Sequence, residues 1–165
     1  LCPFAARPVA QGLVRVAVCE DAHPDGIYRC VLAELDRLLL ADPAQLETTL
    51  VTVPRGLDSF ADYLDMLAQL EHALQELALQ GVVQIASFHP DYEFEETSRD
   101  DLGNYTNRSP FPLFHLLREA SLSKALQGCA DPQEIPARNQ RRMRELGLQR
   151  IRQLLNPGDA PAGQD

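Results

Sequence analysis

Thr48-Thr49-Leu50-Val51-Thr52-Val53 is the stretch from which the fold is read. It is short and rich in β-branched residues, with Val51 and Val53 on one face and Thr48 and Thr52 on the other. That alternation predicts a strand, because successive strand side chains point to opposite faces. Upstream, Leu13-Val14-Arg15-Val16-Ala17-Val18 places Val14, Val16 and Val18 on one face. Downstream, residues 82–88 (Val82-Val83-Gln84-Ile85-Ala86-Ser87-Phe88) are again β-formers around one polar residue. Arg15, Thr52 and Gln84 predict a sheet with one less fully buried face.

Two helices fall between these strands. Near 26–41, Ile27, Val31, Leu35 and Leu38 form an apolar stripe, Arg29, Glu34 and Arg37 lie outside it, and Asp42-Pro43 ends it. Near 59–79, Phe60, Leu64, Leu67, Leu70, Leu74 and Leu77 line one face, with Gly81 as the stop. Asp58 is read as its N-cap, with Ser59 and Asp62 forming a capping-box pattern one residue later. The order predicts an α/β fold: a two-layer sandwich on a β-α-β-α-β core, its three-stranded sheet parallel or mixed.

Residues 89–112 read as a long loop, packed rather than disordered because it carries Tyr92, Phe94, Tyr105 and Phe111. A third helix is expected from Pro112, burying Leu113, Leu116, Leu117 and Ala120. Asp131-Pro132-Gln133-Glu134 opens a helical turn, Pro136 separates it from a helix near 137–146, Gly147 stops that helix, and 148–155 adds a last helical piece. Residues 1–155 thus form one domain, and 156–165 a disordered tail rich in Pro and Gly.

The 165 residues are enough for a core without staples. Apolar residues are 45% and charged residues 24%, as in globular proteins. The net charge of −9 argues against nucleic-acid or anionic-membrane binding, and no apolar run is long enough for a membrane span. Six arginines between Arg138 and Arg152 form a basic patch, read as balancing the acidic body. Leu1 suggests a trimmed start lacking an N-terminal element. Cys2, Cys19, Cys30 and Cys129 lie far apart with no CxxC pair, which reads as reduced thiols of a cytoplasmic protein, with no cofactor implied.

In an open parallel sheet, ligands bind outside the carboxyl ends of the strands. Those ends lead into residues 19–23, Pro54-Arg55 and His89-Pro90-Asp91-Tyr92. His89 is the first catalytic candidate, as general base, electrophile or metal ligand. Asn104-Tyr105-Thr106-Asn107-Arg108-Ser109-Pro110 offers a guanidinium suited to carboxylate or phosphate, flanked by amides, although the same groups can satisfy the loop's own backbone. On the expected third helix, His115, Arg118 and Glu119 point away from the apolar stripe, as a solvated face or a pocket wall. Cys2 could pair with a histidine as a nucleophile, contribute to a metal site, or be an inert thiol.

The segments Leu1-Cys2-Pro3-Phe4-Ala5, Leu46-Glu47-Thr48-Thr49-Leu50, Ala86 to Tyr92, Asn104 to Pro110, His115-Leu116-Leu117-Arg118-Glu119, Ile135-Pro136 and Arg138-Asn139 together resemble an uncharacterised bacterial family, the domain of unknown function numbered 1415. The resemblance covers nearly all of the chain except the tail. It implies a bacterial, cytoplasmic origin and names no reaction. Family members typically begin with a helix before the Cys-Pro-Phe segment.

The leading expectation is an enzyme or ligand-binding domain with a polar pocket for a small anionic molecule. His89, Cys2 and His115 are its catalytic candidates, and Asn104, Asn107, Arg108, Arg118, Asp91 and Arg55 its substrate-binding candidates. The alternatives are a noncatalytic interaction module with a self-satisfied polar loop, and a metal-dependent enzyme using Cys and His ligands.

Overall fold

The computed structural model describes residues 4–127 and 131–155. Cys2, Cys129 and the tail from residue 156 lie outside the described residues.

A short helix α1 (Ala6–Ala10) precedes strand β1 (Val14–Val18), helix α2 (Pro24–Leu40) and strand β2 (Thr48–Thr52). Helix α3 (Phe60–Glu76) and strand β3 (Val83–Phe88) follow. Ser59 is the N-cap of α3, its hydroxyl accepting from the Asp62 backbone N–H at 3.4 Å, so the cap lies one residue beyond Asp58. Residues 113–118 overturn the third-helix expectation: Leu113–Arg118 is strand β4, and helix α4 (Glu119–Leu126) starts only after it.

The sheet order is β1-β2-β4-β3. β1 pairs parallel with β2, and β4 runs antiparallel to both β2 and β3. The sheet is therefore mixed, with β1, β2 and β3 sharing a direction and their carboxyl ends on one edge. The crossover through α3 skips one position, and β4 fills the gap. Being central, β4 carries apolar side chains on both faces, and such a run has no polar alternation to distinguish it from a buried helix.

The register separates the two sheet faces. Ala17, Val51, Phe114 and Ser87 align on one face, as do Arg15, Thr49, Leu116 and Ile85. Helices α2 and α3 cover this face, adding Ile27, Val31, Leu38, Tyr63 and Leu70 to the core. Arg15 belongs here: it holds the buried Glu34 of α2 at 2.6 Å and keeps that carboxyl below the usual carboxylate range. It therefore does not mark the less buried face. Val14, Val16 and Val18 lie on that other face with Thr48, Leu50, His115 and Leu117. Val16 and Val18 remain 61% and 58% exposed, so β1 turns its apolar stripe outward.

A 3₁₀ turn at Leu102–Thr106 orders the long loop, and α5 (Ile135–Leu155) packs against it. Helix α5 begins directly after a second 3₁₀ turn (Pro132–Glu134), with Pro136 inside its first turn rather than before it. Gly147, at φ 73° and ψ 158°, breaks α5 into two helical pieces where the sequence places a stop.

Candidate functional site

The carboxyl edge of the sheet gathers most of the sequence candidates, and their polar groups are turned mainly on the domain's own backbone. His89 is fully buried between Phe60 and Tyr63, at ring-centroid distances of 5.3 and 5.2 Å. Its Nδ1 accepts from the Asp91 backbone N–H at 3.0 Å, and its Nε2 lies 3.0 Å from the Leu57 carbonyl, to which it donates. Asn104, also fully buried, accepts at Oδ1 from the Phe94 N–H and the Thr97 hydroxyl and donates from Nδ2 to the Ser98 carbonyl. Asn107 donates to the Ser87 carbonyl, tying the loop to β3.

Arg108 donates to the carbonyls of Tyr92 and Arg99 and lies 4.6 Å over the Tyr105 ring. Asp91 is ion-paired with Arg99 at 2.8 Å. Arg55 donates to the Glu20 carbonyl at 2.8 Å, bridging the loops that follow β1 and β2. Gly56 lets those loops touch: a Cβ there would stand 2.2 Å from the Ala22 carbonyl oxygen.

His115 and Arg118 lie elsewhere. His115 is on the outer sheet face, opposite the face that buries His89, so the two imidazoles do not share a concavity. Arg118 starts α4 and reaches across to the carboxyl end of α2. It donates to the carbonyls of Leu38 and Ala41 (2.8 Å), where the helix leaves its last acceptors open, and to the Leu46 carbonyl (3.3 Å) in the loop beyond.

A cavity of about 390 Å³ opens beside His115, between the outer sheet face, α1 and α4. Val14, Leu50 and Leu117 form its floor, and Pro8 and Leu122 are among its apolar sides. Its polar wall holds Arg7, Glu47, Arg118 and Lys124. Arg7 grips Glu47 through one nitrogen at 2.7 and 2.6 Å, fastening α1 to the start of β2. Lys124 has no ion-pair partner among the described residues.

His115 is held by Thr48 on β2. The Thr48 hydroxyl donates to the Leu116 carbonyl at 2.7 Å, so it accepts from His115 Nε2 at 2.7 Å. That fixes the tautomer and leaves Nδ1 as an acceptor with no hydrogen-bond partner among the described residues. Burial pushes the imidazole down to about 4, so it is neutral at pH 7.

Among the described residues, Cys19 and Cys30 are free cysteines. Cys19 is buried, and burial beside Cys19 pushes the Cys30 thiol up to about 12, which keeps it protonated. Among the described residues no three His, Cys, Asp or Glu side chains are placed to hold a metal ion. No helix among them is long and apolar enough to cross a membrane.

A family model described as "Protein of unknown function (DUF1415)" matches residues 1–153. The chain belongs to the DUF1415 family. No curated protein and no solved structure matches it. In this DUF1415 domain, sequence reasoning missed Arg7, Glu47, Thr48 and Lys124 as cavity residues. Glu47-Thr48 carried a usable signal, a carboxylate directly before the first hydroxyl of a strand rich in β-branched residues. Lys124 carried none, being one charge on a short helix.

Proposed function

We propose that this DUF1415 domain binds a small anionic molecule in the cavity beside His115. The observation that carries the reading is the cavity's charge. Three cationic side chains and one anionic one line it, in a chain whose net charge is −9. Such a local reversal concentrates anions at a low-dielectric wall. His115 Nδ1 supplies a neutral acceptor of fixed orientation for an N–H or O–H elsewhere on the ligand, while the anionic group meets the cationic side chains. A base titrating near 4 is poorly matched to proton abstraction at neutral pH, which favours binding over general-base catalysis.

On this reading His89, Asn104, Asn107 and Arg108 hold the loop in shape, since each spends its polar groups on the domain's own backbone. Asp91 and Arg55 support the same edge. Arg118 joins the cavity wall while capping α2.

The test is a fragment screen followed by NMR of the His115 ring, assigned with His115→Gln. Anionic fragments are expected to shift the His115 signals and to lose affinity in that variant. A screen in which no anionic fragment moves His115 would remove the reading. A second reading, a noncatalytic interaction module, draws on the self-satisfied loop and on the outward-facing Val16 and Val18. It predicts a concentration-dependent mass in sedimentation that Val16→Lys abolishes, and a strictly monomeric chain counts against it.

A further inference from the structure

The ligand's chemical class follows from what lies on each side of the basic wall; this inference rests on the preceding reading of the site. Arg7, Glu47, Arg118 and Lys124 line the 390 Å³ cavity and also a second, shallower concavity of about 900 Å³. The inner cavity runs from this shared wall onto apolar surface: Val14, Leu50, Leu117 and Leu122. The outer concavity runs from the same wall along Gln11, Pro43 and Val82 to solvent. A wholly polar anion would leave the inner surface wet. A neutral apolar molecule would make no use of the cationic wall, where the exposed Lys124 is free to turn onto an anionic head.

We infer that the site takes an amphipathic anion, an alkyl or acyl chain ending in a carboxylate or phosphate. The chain lies on Leu50, Leu117 and Leu122. The anionic head meets Lys124 and Arg7 at the shared wall, and anything beyond the head extends into the outer concavity. Arg7 can serve the head because its guanidinium engages Glu47 through only one nitrogen, leaving donors over.

Calorimetric titration of the protein with octanoate, octyl phosphate, acetate, inorganic phosphate and octanol tests this. The octyl anions are expected to bind at least about tenfold more tightly than acetate or inorganic phosphate, through burial of the chain. They are also expected to bind at least about tenfold more tightly than octanol, through the charge. The ratio of octanoate to octyl phosphate affinity tells which head group the wall prefers. Lys124→Ala should weaken both octyl anions severalfold and leave octanol unchanged. Leu122→Trp, which fills the apolar end, should abolish octyl binding. Ala125→Leu narrows the same end from an exposed position if Leu122→Trp does not fold. Acetate or inorganic phosphate binding as tightly as its octyl counterpart, while still shifting His115, would overturn this inference and leave the anion site standing. Octanol matching octanoate would overturn it too. No probe or fragment moving His115 would overturn both.

Discussion

At the scale of the residue, burial and hydrogen bonding decide what each candidate can do. His115 illustrates this through its pH dependence. Its imidazole titrates near 4 in the folded chain against 6.5 when free, so between those values the unfolded chain holds the extra proton. Its contribution to stability is complete above about pH 6.5 and drains away as pH falls toward 4, by about 3 kcal/mol at most. Urea unfolding of wild type and His115→Gln across that range should show a difference that grows toward neutral pH. A difference independent of pH would contradict the assignment.

Thr49 offers the opposite case. Its hydroxyl is the one buried side-chain polar atom without a hydrogen-bond partner among the described residues. Thr49→Val removes that oxygen at nearly constant volume and should stabilise the domain by about 1 kcal/mol in the same assay. His89 was visible in the sequence at a strand end, and Asn104 in an unusual polar stretch of the long loop. Whether they face a ligand or their own backbone was not, because that depends on Leu57, Ser98 and Phe94, up to 32 residues away.

At the scale of the element, periodicity made α2, α3 and β2 legible, each having one face in the core and one outside. β4 was not legible, because a strand inserted between two others is apolar on both sides and α4 follows it without a break. The loop from 89 to 112 is an element in its own right, built around Asn104. Asn104→Ala leaves the Phe94 N–H and the Ser98 carbonyl without their partner. It should cost about 2–3 kcal/mol and raise amide hydrogen exchange over the loop. Anion binding beside His115 should survive, because the cavity lies on the other sheet face. Joint loss of loop protection and anion affinity would instead place the ligand at the loop.

At the scale of the whole molecule, the site is a product of topology. Arg7, Glu47, His115 and Lys124 come from four separate stretches and meet only because β4 returns between β2 and β3. No local spacing in the sequence records that return, so the fold class could be read from residues while the cavity could not. The domain's acidic body surrounds a small basic wall, and anion affinity should therefore fall as salt rises from 50 to about 500 mM, where screening shortens. An affinity indifferent to salt would argue against a charge-led site.

The most direct measurement is a crystal structure of the domain grown with the best anionic fragment. Ligand density is expected in the cavity on the outer sheet face, in contact with His115 and bounded by Arg7 and Lys124. Density beside His89 and Arg108 at the carboxyl edge, with the His115 cavity empty, would contradict that placement.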